Sequence, residues 1–273
     1  MVIGLYTDFG SKGSYYVASM KGVILKINPN IKIIDISHNI SPYSIIEASY
    51  LIKSTYKFFP LQSVFIFVID PGVGSSRNIL AVKTKSNFYF VGPDNGIFYN
   101  ILDQDDISEC YKVENDEYFN KPISNTFHGR DIMSPVGAYI SKGLSLDIFG
   151  PKFDSKSFIK YNIFYQIFTN EKKIQGIIQY IDSFGNITTN IPIENENIKG
   201  SSLKIKEGDN IKIKFKNQEY EGKFTFHFAK VPIRSLLFLK GSSGFLEISI
   251  NQGNAAEHIG FKVGDIIIIV LQM

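Results

Sequence analysis

SVFIFVID, residues 63–70, decides the fold. Val64 to Ile69 leave no polar face, and a strand that is apolar on both sides must be covered on both sides. That is the pattern of a central strand in a parallel sheet with helices packed above and below. The run then ends in an acid. IDPGVGSSR (69–77) carries the chain through a proline and a glycine-rich turn to an arginine. A carboxylate leaving a buried strand, with a cation seven positions on, is either a tight turn with an ion pair or part of a reaction centre.

Working outward, the first half alternates strand-like and helix-like segments. VIGLYT (2–7) precedes SYYVASMKGVILKI (14–27), where Val17, Met20, Val23, Ile24 and Ile27 recur at helical spacing. IKIIDIS (31–37) is followed by a helical stretch over 44–57, with Ile45, Ile46, Ala48, Leu51 and Ile52 in reach of one face. ILAVKT and NFYFVG read as strands, and DIMSPVGAYISKG (131–143) as a helix. This alternation predicts an α/β layered sheet. Past residue 155 the helical period fades. IQGIIQYID (174–182), SLKIKEGDNIKIKFK (202–216), YEGKFTFHF (220–228), GFLEISI (244–250) and GDIIIIVLQ (264–272) alternate with a period of two between turn residues. They predict a smaller antiparallel β-barrel domain. The expected organisation is an α/β domain over 1–155 and a barrel over 170–273. The aromatic-rich segment 151–168 connects them and packs rather than dangles.

Composition excludes several classes. The chain has 273 residues, is 44% hydrophobic and carries a net charge of +3. Its lysines alternate with apolar residues, as on solvated strand faces, so no nucleic-acid footprint is expected. Cys110 is the single cysteine, which rules out an internal disulfide or a thiolate metal cluster. MVIGLYTDFG lacks the basic start of a signal peptide, and no apolar run reaches spanning length. A soluble cytoplasmic protein with no membrane association is expected.

Three acids follow apolar strands: Asp8, Asp70 and Asp94. Ligands of open α/β sheets sit at the carboxyl ends of the strands, so these three could converge on one rim. DFG and PDNG are also good turn and cap sequences. TFHGRD (126–131) is a second dense spot, just before a helix. Asp131 reads as a cap and Arg130 as the partner of a surface acid. Of the four histidines, His128 stands in a polar glycine-containing turn, where an imidazole can orient or exchange a proton. His38 follows a strand, His227 falls in an alternating strand and His258 in a polar helical turn. No HxH, HExxH or Cys/His spacing marks a metal site, and GVGSSR lacks the ending of a phosphate-binding loop. TDFG and HGRD occur in the wrong order for a kinase, without its lysine strand. In the second half, IDSFGNITTN (181–190) and GSSGFLEISINQGNAAE (241–257) are either hairpin turns or the amide and backbone groups of a nucleoside-like pocket.

Taken in order, TDFG, MKG, DISH, IDPGVGSSR, PDNG, FHGRD, IDSFGN and GSSGFLEISINQGNAAE resemble the S-adenosyl-L-methionine (SAM) hydrolases over almost the whole chain. These are also called SAM hydroxide adenosyltransferases and are relatives of fluorinase and chlorinase. The resemblance implies an N-terminal α/β domain, a C-terminal β-barrel, and a homotrimer with sites between neighbouring subunits. It implies the reaction of SAM with water to adenosine and L-methionine, without metal or cofactor. The family's Asp–Arg–His triad maps onto Asp70, Arg77 and His128. Asp8 is then expected at the ribose hydroxyls, Asp182 at the methionine ammonium and Asn186 at the adenine edge. Ser242 is expected at the methionine carboxylate and the backbone near Gln252 at adenine. An acid at position 70, where halide-using relatives have none, favours water over a halide. Whether Asp70 or His128 takes the proton stays open at this level. One position departs: Gly13 stands where the family carries an acid that helps hold the methionine end, and Ala18 stands where glycine is common. The rival readings are a SAM- or adenosine-binding module with little turnover, a halide-dependent adenosyl transferase, and a metal-dependent nucleoside hydrolase.

Overall fold

A computed structural model describes residues 1–102, 106–163, 165–216 and 218–272. The chain divides into two compact units, Met1–Tyr161 and Asn162–Met273.

The first unit is built on six strands: β1 (Val2–Thr7), β2 (Lys32–Ser37), β3 (Val64–Val68), β4 (Ile79–Thr84), β5 (Tyr89–Pro93) and β6 (Ile107–Lys112). Their order is β2-β1-β3-β5-β4-β6. β2, β1, β3 and β5 run parallel, and β4 pairs antiparallel with both β5 and β6. All five residues of β3 are buried, as its two-sided apolar sequence requires. Val64, Ile66 and Val68 face one layer with Met20 and Ile24 of α1 (Ser14–Ile27) and Val136 and Ile140 of α4 (Ser134–Ser141). Phe65 and Phe67 face the other, with Ala48 and Ile52 of α2 (Ile45–Thr55) and Phe98 of α3 (Ile97–Ile101). The layers meet closely. A methyl group on Gly92 of β5 would overlap the Phe67 ring, so only glycine fits there.

One detail differs from expectation in this unit. The helix expected over 131–143 opens with a π-helical turn, Gly129–Met133, before α4 begins. The connecting segment packs, as its aromatics led one to expect, and its first part belongs to the first unit: Phe158 is buried, its ring 5.4 Å from Phe98.

The second unit is a closed barrel. β8 (Lys173–Ile181), β9 (Ile187–Glu194), β14 (Phe245–Ile250), β13 (Leu236–Lys240), β12 (Gln218–Phe224), β11 (Asn210–Phe215) and β15 (Ile266–Gln272) follow one another, and β8 pairs back to β9. Short β7 (Gln166–Phe168) and β10 (Asn197–Ile198) flank it, and α5 (Ala255–Ile259) follows β14. Ile174, Ile178, Ile187, Ile211, Ile213, Phe224, Phe238, Ile248, Ile267 and Ile269 fill the core. The barrel pairs are antiparallel except β12 with β13, which are parallel at Lys223–Leu237 and Phe224–Phe238. The strand expected over 220–228 ends at Phe224, because β11 begins at Asn210, opposite Lys223, and offers it no further partner on that side. His227 lies beyond it, outside any strand.

Candidate active site

Parallel β1 and β3 end on the same edge of the sheet, which puts Asp8 and Asp70 side by side on the rim of a cavity of about 340 Å³. The 70–77 turn folds back on itself through Val73 N to Asp70 O (3.2 Å) and Ser75 N to Gly72 O (3.0 Å). This returns Arg77 to the carboxylate it left. Arg77 Nε donates to Asp70 Oδ1 at 2.9 Å and Oδ2 at 3.1 Å, and Nη2 donates to Oδ2 at 2.5 Å. Both side chains are nearly buried, 4% exposed for Asp70 and 10% for Arg77, so the pair is shielded from bulk water. Asn95 Nδ2 donates to Ile69 O (2.8 Å) and pins the strand end just before the acid.

The same Arg77 Nη2 lies 3.0 Å from His128 Nδ1. A guanidinium only donates, so Nδ1 presents its lone pair and the ring proton sits on Nε2. Burial first, and the Arg77 charge second, push the His128 pKa below its ordinary value. The three side chains thus form one chain, carboxylate to guanidinium to neutral imidazole.

Residues around His128 are held by Asp131, which is no exposed cap. Its carboxylate is fully buried and accepts from Arg130 Nε (2.7 Å) and Nη2 (2.8 Å), Asn120 Nδ2 (2.9 Å) and Ser124 N (2.9 Å). Burial alone would raise its pKa, but these donors hold it below the usual range. Arg130 accordingly pairs with its own neighbour, not with a separate surface acid.

Asp8 Oδ2 accepts from Tyr43 N at 2.8 Å, and burial raises its pKa. Asp94 does not join the other two acids. It is 1% exposed, lies outside the cavity lining, and accepts from Ile159 N at 3.0 Å. Its role is to clamp the segment after residue 158, as its turn-forming sequence allows.

The cavity wall holds residues the sequence did not single out. Phe9, Tyr16 and Phe127 form an aromatic cluster with centroids 5.0–5.8 Å apart. Tyr43, with φ of 64°, overhangs it and is 68% exposed. Their helix- or turn-like settings gave no functional signal. Gly13 is buried beneath this cluster, and a Cβ there would lie 2.6 Å from Phe9 Cβ. Cys110 is also buried, with its thiol pushed up to about 12 by burial.

In the second unit, Asp182 and Asn186 share one turn between β8 and β9. Asp182 Oδ1 accepts from Phe184 N and Asn186 N, both at 2.9 Å, and Oδ2 from Asn186 Nδ2 at 2.9 Å. Three donors leave Asp182 about one of roughly four acceptor positions. Asn186 keeps its carbonyl oxygen and one N–H. Ser242 and Gln252 are exposed in the turns at the two ends of β14, with Gln252 at φ 53°. Between them stands Glu247, whose pKa is raised by burial first and by the Asp182 charge in addition. The sequence signal for it was a lone acid in an apolar strand.

A mixed sheet whose parallel strands bear this rim, followed by a closed barrel, defines a two-unit architecture found in solved proteins. An uncharacterised conserved protein from Thermotoga maritima matches with a TM-score of 0.89 and 37% identity, over 98% of this chain and 100% of that one. A conserved hypothetical protein from Thermus thermophilus matches with a TM-score of 0.75 and 25% identity, over 99% of each. The family models give the assignment: residues 3–150 match the SAM hydroxide adenosyltransferase N-terminal domain, and 176–268 the C-terminal domain. The chain belongs to the SAM hydroxide adenosyltransferase family. Its relatives include the (R)-S-adenosyl-L-methionine hydrolase of Methanocaldococcus jannaschii, 38% identical over 94% of this chain and 90% of that protein. A fluorinase of Actinopolyspora mzabensis is 23% identical over 78% of this chain and 77% of its own length.

Proposed function

We propose that this protein hydrolyses SAM to adenosine and L-methionine by attack of water at ribose C5′. The observation that carries the reading is the Asp70–Arg77–His128 chain on the rim that also bears Asp8. The water oxygen forms the new bond to C5′ as the C5′–S bond breaks. Its electron pair goes to sulfur, and the sulfonium leaves as a neutral thioether, so no acid is needed on the leaving group. His128 cannot take the water proton at Nδ1, which faces Arg77, and its Nε2 already carries hydrogen; it donates to the water and aims it. The basic atom left is the Asp70 carboxylate, which accepts the proton and returns it to solvent. Arg77 fixes that carboxylate and stabilises the negative charge that grows on the attacking oxygen. The step uses no metal and no cofactor; SAM is the substrate.

On this reading Asp8 binds the two ribose hydroxyls, and Asn186 reads the adenine edge with the backbone at Gln252. Ser242 receives the methionine carboxylate. Asp182 meets the ammonium with its remaining acceptor position, and the nearby Glu247 carboxylate reinforces the negative field there. We further propose a cytoplasmic homotrimer whose sites combine the first unit of one subunit with the second unit of its neighbour. The exposure of Tyr43 (68%), Phe184 (75%) and Phe226 (58%) supports burial in such an assembly.

The test is to incubate metal-free protein with SAM in chloride-free oxygen-18 water and to follow products by liquid chromatography with mass detection. Adenosine carrying the label, together with methionine, is the expected result. Intact SAM, with adenosine retained on the protein, would replace this reading by a binding module.

A further inference from the structure

Two motifs have no part in the chemistry described so far: the MKG of α1 and the DISH that closes β2. The structure joins them. Lys21 Nζ lies 2.5 Å from Asp35 Oδ2, and His38 Nε2 lies 3.0 Å from Asp35 Oδ1. On its other side His38 Nδ1 is 2.9 Å from Thr7 Oγ1, and Thr7 is fully buried. The Nε2–Asp35 contact has ion-pair distance without hydrogen-bond alignment, and the adjacent carboxylate favours the tautomer with the proton on Nε2, in which Nδ1 accepts from the Thr7 hydroxyl. The Thr7 oxygen in turn takes the Phe9 N–H at 3.4 Å. The His38 main chain makes a second attachment: its carbonyl accepts from Gly10 N at 2.7 Å.

We infer that His38, acting through Thr7, is a positioning residue that holds Asp8 at the cavity rim for the ribose hydroxyls. Residues 7 and 10 are both tied to His38, one through its side chain and one through its backbone, and Asp8 lies between them. A further bond, from Tyr43 N, engages Oδ2 itself. The backbone N–H of Asp8 itself also bonds its carboxylate. Gly10, at φ 66°, lets the chain turn back to His38 immediately after the acid. Lys21 and Asp35 are 33% and 44% exposed, so their pair is the weaker outer anchor and the Thr7–His38 contact is the inner one. None of these groups touches the Asp70–Arg77–His128 chain. The arrangement therefore bears on nucleoside binding and not on the attack of water.

The inference rests on Asp8 as the ribose ligand, and the experiment separates the two. Thr7→Val, Thr7→Ser, His38→Gln and Asp8→Ala are compared by calorimetry with adenosine and by steady-state kinetics with SAM. Thr7→Val removes the hydroxyl at nearly constant volume. Misaligning one charge-assisted bond predicts about a tenfold rise in adenosine Kd and SAM KM, with kcat within about twofold. Thr7→Ser restores the hydroxyl and is expected within about twofold of wild type in both. His38→Gln should match Thr7→Val, and it serves as the second probe should the valine variant not fold. Unchanged affinity in Thr7→Val and His38→Gln, with Asp8→Ala weakened, overturns the positioning role alone. So does a fall in kcat at constant KM. Unchanged affinity in Asp8→Ala overturns the ribose assignment, and with it the reason for the network.

Discussion

Arg77→Lys tests the triad at its most constrained point. Arg77 touches both oxygens of Asp70 and, through Nη2, the Nδ1 of His128. Lysine keeps the positive charge, so Asp70 is not left as a bare buried ion, a loss that costs about 3–5 kcal/mol and would confound Arg77→Ala. An ammonium is a point donor on a flexible stem and cannot fork onto two oxygens while reaching an imidazole. The expected loss is the His128 contact and one carboxylate contact, each worth about 1.5 kcal/mol as hydrogen bonds to charged groups. If both matter only as the attacking oxygen gains charge, about 3 kcal/mol corresponds to roughly 150-fold in kcat. KM should change by less than about threefold, since Arg77 is not part of the cavity lining. The assay is adenosine release from SAM by chromatography, with thermal melting run alongside. A kcat within about threefold of wild type, in a folded variant, would refute the reasoning that Arg77 organises the attack.

Nitrogen-15 NMR of His128 should show an imidazole titrating below the ordinary value near 6.5, and Arg77→Met should move it up, since a positive neighbour is lost and Asp70 remains. The linked stability falls as pH drops below about 6.5, because the unfolded chain binds the proton that folded His128 resists; a flat urea midpoint for wild type with a sloping one for His128→Asn would contradict this sign. Asn186→Ala should weaken adenosine binding about tenfold by calorimetry, and unchanged affinity would count against adenine recognition in the second unit. Gly92→Ala should lower the unfolding free energy by about 2 kcal/mol in urea, because the added methyl meets the Phe67 ring between β3 and β5; an unchanged midpoint would mean that ring moves freely.

The parts of this protein legible in its sequence are those where one pattern had a single physical solution. β3 is the clearest case: an apolar run on both faces has no stable place except mid-sheet, and the acid after it then falls on the carboxyl rim. The aromatic content of the connecting segment likewise forecast the burial of Phe158. What stayed hidden depended on distant partners. Asp94 carries the same strand-end signature as Asp70, but its carboxylate turns inward because Ile159 N, sixty-five positions away, lies beneath it. The alternation through 220–228 outran the strand that paired with it. The protonation site of His128 is fixed by Arg77, and no local reading around FHGRD contains that contact. Asp131 reads as a simple helix cap because the donors that hold its carboxylate in the interior come from Asn120 and Ser124 on an earlier loop.

The placement of the site's parts within the first sheet has a consequence for how the protein loses activity under stress. Asp70 hangs from β3, flanked on both sides by parallel neighbours and covered above and below, so its backbone opens only when the whole unit does. Tyr43 belongs to the segment leaving β2, at the sheet's edge, and reaches Asp8 by one backbone bond from an exposed residue. Mild urea or heat will therefore free the nucleoside end first. Hydrogen exchange should be fast at the Tyr43 amide and slow along β3, and substrate affinity should decay over conditions in which bound substrate still turns over at full rate.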